Sequence, residues 1–487
     1  MVALVGPNAP EWAEWAWGAW LAGAALVPLP SPVRVRDKQE FQLQVASLTR
    51  AVGCTLVVGQ ARYLELIASG TPRLDWDEPP AEPGRAELDE PLPSSTALIL
   101  CTSGSTATPK GIVVDHAKAV GRMVTTSSAF ETELGVTVSW LPFYHIGGLS
   151  GVIAAAGTAS QRHILPVERF VRDPAEWLRL VSGVRARLTA APASAWSAAV
   201  RALANRPEGV DLSCLGSAIF GMEMVDPDVV EEVLEICRPL GLSEAAIVSS
   251  YGSSEAGYVT GTRPGGGARV DAIDLEELAR SGRVVAPRPG SPTKRVVSCG
   301  PPALGVSVLI GDPQEPWPER QVGEIFVRGE LMSDGYVNAG SEGLFVEGWM
   351  RTGDLGYFDR GELFVTGRSK EVIVHLGRKY HPEDIEQAVA RALGDLGGRA
   401  VAFAPLRGRE GELVVVVEVA ATGSAEATSR ARAAVIGSVG LVPSEVIAVP
   451  VGTVPLASNG KLQRTKAREM HGAGQLGGQA AEAAALT

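Results

Sequence analysis

The chain is short of the residues that several function classes require. Acidic side chains outnumber basic ones, 55 to 44, for a net charge of -11, so no broad basic surface is available to neutralise nucleic-acid phosphates or anionic lipid. There are 6 histidines, none in HExxH or HxH spacing, which leaves a zinc site without support. The 5 cysteines (Cys54, Cys101, Cys214, Cys237, Cys299) are far apart, odd in number and never in CxxC spacing. They make neither a disulfide framework nor a zinc knuckle, and a reducing cytoplasm is the expected setting. Long apolar runs are missing as well. The most membrane-like stretch, residues 15–27, has 13 uncharged residues, is closed by Pro28 and follows Glu11 and Glu14, whereas a spanning helix needs about 20. It reads as a core helix, and with no positive charge before it, not as a secretory signal.

Lysine is scarce, 8 against 36 arginines, so a lysine inside a glycine-rich motif is informative; Lys110, Lys370 and Lys461 are of that kind. The 487 residues are otherwise 45% apolar and 20% charged, an ordinary globular composition that supports about two to four folding units.

The first third alternates apolar runs (residues 2–5, 26–29, 56–58, 97–100 and 137–141) with helical patterns such as residues 12–25. Short buried strands punctuated by helices predict an α/β fold with doubly wound parallel sheets. From about Val296 the texture changes to Gly-punctuated β-runs at 306–310, 324–327, 362–365 and 371–374, which predicts a β-rich subdomain. After Gly367 a helix over 382–392, a strand over 412–419, a helix over 425–437 and a strand over 446–451 predict a small α+β domain. The Gly/Ala/Gln-rich tail beyond His471 has no periodic pattern and is expected to fray. No internal repeat is present.

The strongest local signal is TSGSTATPKG at residues 102–111, directly after an apolar run. Thr102, Ser103, Ser105 and Thr106 supply hydroxyls, Gly104 gives close backbone approach, and Lys110 adds a point charge, so the segment suits an anionic phosphate. A Walker A loop would need Gly before the lysine and a hydroxyl after it, where Pro109 and Gly111 stand. The bland alternative is a flexible Ser/Thr/Gly connector.

Three further segments follow in order: SYGSSE at 250–255, RTGD at 351–354 with GRSK at 367–370, and PLASNGKLQR at 455–464. Together the four resemble the adenylate-forming superfamily of acyl-CoA ligases, acyl-AMP ligases and nonribosomal-peptide adenylation domains, and the resemblance covers nearly the whole chain. It is closest to fatty acyl-AMP ligases, through SWLPFYH at 139–145, LTAAPASAW at 188–196, VVSCG at 296–300, GRKYHPEDIE at 377–386, and VDAIDLEELARSGRVV at 270–285, which is similar to the insert that marks those ligases. Where they usually carry His-Asp-Met-Gly, this chain has His145-Ile146-Gly147-Gly148, which looks more like an acyl-CoA ligase.

The resemblance implies an N-terminal adenylation domain over residues 1–369 and a mobile C-terminal domain over 370–487, with Lys370 as hinge. It implies ATP and Mg²⁺ as cofactors: residues 102–110 would hold the leaving pyrophosphate, Glu255 would ligate the metal, Tyr251 would stack on adenine beside Gly252 and Ser254, Asp354 would accept both ribose hydroxyls, and Arg368 would contact ribose or phosphate. Lys461 would bridge the attacking oxyanion and the α-phosphate. His145, Trp196, Gly221, Met222 and Ser250 would border the acid. The plainer alternatives are a solvated loop glutamate for Glu255, a turn Gly-Asp for Asp354, a solubilising charge for Lys461 and a satisfied core histidine for His145. The acidic run 271–277 reads as the solvated face of a short helix. The expected activity is adenylation of a small-molecule carboxylic acid, then transfer to an acyl carrier protein thiol. An acyl-CoA or aryl-CoA ligase using coenzyme A, a non-catalytic nucleotide binder, and a diazotase-like enzyme that adenylates an oxyanion such as nitrite remain alternatives. Met222 and Trp196 at the acid border predict a short or aryl acid.

Overall fold

The structure is a computed structural model that describes residues 1–31, 38–67, 70–78, 91–102, 110–130, 135–158, 160–337, 343–406, 411–420, 424–456 and 462–476. Ser103, Gly104, Ser105, Thr106, Lys461 and the end of the tail lie outside the described residues. By packing, the chain divides into two compact units. Residues 1–269, 297–308 and 326–352 form the first; residues 270–296, 309–325 and 353–487 form the second.

The first unit holds two six-stranded sheets. In one the strand order is Arg73–Asp75, Leu56–Gly59, Val2–Val5, Leu26–Pro28, Thr96–Thr102, Lys110–Asp115. In the other it is Gly257–Gly261, Ile247–Ser253, Ser217–Phe220, Leu188–Ala191, Val136–Ser139, Gln161–Ile164. Ala3, Leu4, Val5, Val57 and Val58 are all buried, as continuous apolar runs in parallel sheets should be when helices cover both faces. The helix Pro10–Leu21 starts on a proline at its first position, where the missing N–H would have no partner in any case.

Each sheet is parallel except at one edge. Thr96–Thr102 runs antiparallel to Lys110–Asp115, and Ile247–Ser253 runs antiparallel to Gly257–Gly261. These two hairpins carry the 102–111 and 250–255 segments, so the departure from a purely parallel sheet falls where the motifs are.

In the second unit the strands Gly397–Phe403, Val414–Val419 and Glu445–Pro450 form a sheet in that order. The helices Pro382–Leu393 and Ser424–Val439 pack together and against it, which is the α+β arrangement expected. Residues 354–359 pair antiparallel with Glu362–Arg368 and add stacked Tyr357 and Phe364 to the same apolar core. Because of those contributions, the division by packing falls earlier in the chain than the motif boundary at 369/370.

Segment Val270–Val296 also belongs to this unit. Its strand Val270–Asp274 and helix Leu275–Ser281 bury Ile273, Leu275, Leu278 and Ala279 in a core shared with Tyr380, Ile385 and Val389. The reading of 271–277 as a solvated face is therefore corrected. Asp271 accepts from the Tyr357 hydroxyl at 2.8 Å and pairs with Arg320 at 3.2 Å, and fully buried Asp274 caps the helix through the Glu277 N–H and binds Arg288 at 3.0 Å. Among the described residues no helix is long and apolar enough to cross a membrane.

Candidate active site

At the edge of the first sheet, Thr102 and Lys110 face each other as partners across the hairpin. The Lys110 ammonium lies 4.7 Å from the centre of the Tyr336 ring, and the Tyr336 hydroxyl donates to Glu255 Oε1 at 3.2 Å. Lys110 and Glu255, 145 positions apart in sequence (255 minus 110), are thus joined through one tyrosine. Burial, with the Glu255 charge beside it, pushes the Tyr336 hydroxyl up to about 12, so it is a proton donor at neutral pH.

The backbone of the 250–255 segment is clamped by Arg122 from the helix His116–Ala129. Its guanidinium donates to the carbonyls of Leu331 at 2.8 Å, Ser254 at 3.0 Å and Glu255 at 2.7 Å. Burial lowers its pKa to about 10, which leaves it charged at neutral pH. Tyr251 and Gly252 sit at a register shift in the hairpin, and a Cβ on Gly252 would come within 2.3 Å of the Gly257 carbonyl oxygen. Only glycine fits that approach.

Among the residues expected to border the acid, His145 precedes the helix Ile146–Gly157 and is half-buried, its ring 5.6 Å from that of Tyr144. The turn leading to it is held by buried Asn8. The Asn8 amide donates to the carbonyls of Trp140 at 3.3 Å and Leu141 at 2.8 Å and accepts from the Phe143 N–H at 3.0 Å. Met222 adopts φ +67°, and its sulfur lies 3.3 Å from where a Cβ on Gly147 would stand. A Cβ on Gly221 would meet Ser250 Oγ at 2.6 Å. His145, Gly147, Gly221, Met222 and Ser250 therefore gather at the carboxyl ends of the parallel strands, where ligands bind in open α/β sheets.

Trp196 does not join them. It is fully buried, donates to the Ile219 carbonyl at 3.1 Å and packs on Phe220 and Trp177. A side chain with no exposed surface borders no open space, so its expected place at the acid border is corrected. A cavity of about 280 Å³ lined by Phe130, Val136, Arg187, Leu188 and Ser217 lies at the opposite, amino ends of these strands.

In the second unit Asp354 and Arg368 are cross-strand partners, with Arg368 Nε 3.1 Å from Asp354 Oδ1. Asp354 is buried, whereas Arg368 and Lys370 are exposed. Arg464, three residues after Lys461, is half-buried among Glu371, Glu383 and Glu386.

Sequence reasoning missed Asn8, Arg122, Tyr336 and Arg464. Asn8 and Arg122 carry no local signal, since an asparagine in a turn and an arginine among 36 are unremarkable; Arg464, the last residue of the 455–464 motif, and Tyr336, one of 7 tyrosines and following Asp334-Gly335, could have been questioned.

Residues 1–337 match the AMP-binding enzyme family. The chain belongs to that family. A medium-chain fatty acid–acyl-carrier-protein ligase of Moorena producens is 30% identical, over 96% of this chain and 84% of the relative. A 4-hydroxyphenylalkanoate adenylyltransferase of Mycobacterium tuberculosis is 29% identical, over 96% and 82%. Among solved structures, one from work on fatty acyl-adenylate ligases of E. coli and L. pneumophila superposes with a TM-score of 0.89 at 26% identity, over 99% of this chain and 88% of that one. This AMP-binding enzyme is an ATP-dependent, AMP-forming ligase whose product is an acyl-adenylate, and it is similar to fatty acyl-AMP ligases.

Proposed function

We propose that the enzyme activates a short or aryl carboxylic acid as its adenylate and passes the acyl group to the phosphopantetheine thiol of a carrier protein. In the first step a carboxylate oxygen attacks the α-phosphorus, the bond to the β-phosphate oxygen breaks, and pyrophosphate leaves with the electron pair. Negative charge builds on the non-bridging oxygens, so the residues around them must supply positive charge and donors before the reaction begins. In this reading Lys110 and the 102–110 loop hold the leaving pyrophosphate. Lys461 neutralises the oxyanion at the α-phosphate, Asp354 and Arg368 orient the ribose, and Tyr251 lies on the adenine. Glu255 fits Mg²⁺: a single hard carboxylate, half-buried and held by Tyr336, suits an ion that takes one or two carboxylates beside substrate phosphates. Bound there, Mg²⁺ would screen the triphosphate charge.

The observation that carries the choice of acceptor is the seat of residues 270–296. Lys294 and Asp384 form a buried ion pair at 2.6 Å, Lys294 also donates to the Thr366 carbonyl at 3.0 Å, and the helix Leu275–Ser281 packs on the strand Arg378–Tyr380. A rotation hinged at Lys370 would have to separate residues 378–389 from 270–296 and uncover that ion pair, which costs several kcal/mol, on the order of a buried charge left unpaired. The reaction is then expected to stop at the adenylate when only free coenzyme A is offered. Pyrophosphate release across a panel of aryl and alkyl acids, with nitrite included, followed by acceptor competition, tests the reading. Adenylate turnover with a phosphopantetheinylated carrier protein and not with coenzyme A is expected. Rapid acyl-CoA formation would replace it with an acyl-CoA ligase, and release dependent on nitrite with a diazotase-like enzyme.

A further inference from the structure

We propose that Tyr336 is a positioning residue that aims Glu255 and Lys110 at one phosphate and metal site. The inference rests on the roles proposed above for those two residues, and it assigns a function to a segment that none of the sequence motifs includes.

The geometry begins with backbone. Directly after Lys110, the Val113 N–H donates to the Gly335 carbonyl at 3.1 Å and the Val337 N–H donates to the Gly111 carbonyl at 2.8 Å, with Ile112 and Tyr336 bridged between them. Residues 335–337 are therefore strapped antiparallel onto the strand Lys110–Asp115. The upstream end is tied to the other hairpin: the Ser333 N–H donates to the Glu255 carbonyl at 2.9 Å, and the Leu331 carbonyl accepts from Arg122, which also holds Ser254 and Glu255. Lys118 closes the frame on Asp334 at 2.5 Å. The strap leaves Tyr336 little freedom.

Two chemical contacts leave that one side chain. Its hydroxyl gives a charge-assisted hydrogen bond to Glu255 Oε1, fixing one carboxylate oxygen and leaving the other to meet a cation. The face of its ring receives the Lys110 ammonium, which keeps a long flexible side chain near the place where phosphate must sit. Substitution can separate the contacts, because phenylalanine keeps the ring and loses only the hydroxyl, and leucine loses both. Outer-shell partners of metal ligands are commonly worth about 10- to 100-fold in metal affinity; a half-buried site with one hydrogen bond should fall at or below the low end.

The test uses the full chain with Mn²⁺ as the metal probe and a non-hydrolysable ATP analogue. Mn²⁺ binding is read by electron paramagnetic resonance, and analogue binding without metal by calorimetry. Tyr336→Phe should weaken Mn²⁺ binding about three- to tenfold and leave metal-free analogue affinity within about twofold. Tyr336→Leu should weaken Mn²⁺ similarly and also weaken the analogue, by about two- to fivefold. Thermal melts identify any variant that has not folded, and the near-isosteric Tyr336→Phe then carries the decision. Wild-type Mn²⁺ affinity in Tyr336→Phe overturns the proposal. If Glu255→Gln leaves wild-type Mn²⁺ binding intact, the metal role of Glu255 fails instead, and the inference with it.

Discussion

Arg464 grips Glu386 at both carboxylate oxygens, Nε to Oε1 at 2.8 Å and Nη2 to Oε2 at 2.7 Å. The same guanidinium reaches Glu383 at 3.0 Å and also bonds Glu371, the residue after Lys370. One half-buried arginine thus ties the start of the helix Arg464–Gly472 to the helix Pro382–Leu393 and to the segment beside the proposed hinge. A second donor, the Ala402 N–H, satisfies Glu386 Oε1 at 3.0 Å.

Removing that arginine leaves several carboxylates without their cation. Arg464→Met should destabilise the second unit by about 3–5 kcal/mol, the usual cost of breaking a buried pair from one side. Arg464→Lys should recover only part of the loss, because an ammonium cannot make the two-pronged contact. Chemical denaturation of both variants checks this; a lysine variant as stable as wild type would contradict the bidentate account.

Asn8 predicts a separable effect on the acid side. Asn8→Ala strands the Phe143 N–H and the carbonyls of Trp140 and Leu141, which should cost about 1–3 kcal/mol and loosen the turn before His145. The expected signature in pyrophosphate release is a raised KM for the acid with the KM for ATP unchanged. Equal rises in both would place Asn8 outside the acid site.

At Met222 the expected outcome is a gain. A left-handed backbone costs an L-residue about 1–2 kcal/mol, and glycine would relieve this while adding unfolded-chain entropy worth about 0.5–1 kcal/mol. Met222→Gly should therefore fold with near wild-type stability and accept longer acids, since the sulfur beside Gly147 would be gone. A wild-type preference for dodecanoate or longer over benzoates would contradict the proposed substrate class.

His381 supplies a pH test of the second unit. It is fully enclosed, its Nδ1 has no hydrogen-bond partner among the described residues, and burial, helped by Lys294 and Lys379, holds its pKa well below the ordinary value. The unfolded chain then binds the proton first, so this contribution is complete above about pH 6.5 and is lost as pH falls below it. Asp384 and Glu386 act in the opposite sense, because burial pushes both carboxyls up against the pull of Lys294 and Arg464. The difference between wild type and His381→Gln isolates the histidine. Wild type should lose stability relative to the variant by up to about 1.4 kcal/mol per pH unit below 6.5; parallel profiles would contradict it.

Much of this architecture is written locally in the chain. The strand at Val2–Val5 and the helix starting at Pro382 are where the apolar runs and helical spacing put them, because burial on both faces and a 3.6-residue period leave direct marks on sequence. Partners far apart leave none. Asp271 looks like a surface acid until Tyr357 and Arg320 are brought to it, and Trp196 looks like a pocket wall until Phe220 and Trp177 cover it. Likewise the motifs mark Lys110 and Glu255 separately, but the tyrosine between them comes from a third segment.

In the proposed reaction adenylation depends on the acid, and Lys461 acts on the transition state. ATP/pyrophosphate exchange in the presence of the best acid, measured for wild type and Lys461→Ala alongside ATP binding, tests it most directly. An interaction made only in the transition state governs turnover rather than affinity. Acid-dependent exchange in wild type and a loss of orders of magnitude in the variant, with ATP binding retained, are the expected results. Near-normal exchange in Lys461→Ala, or exchange in wild type that ignores the acid, would contradict it.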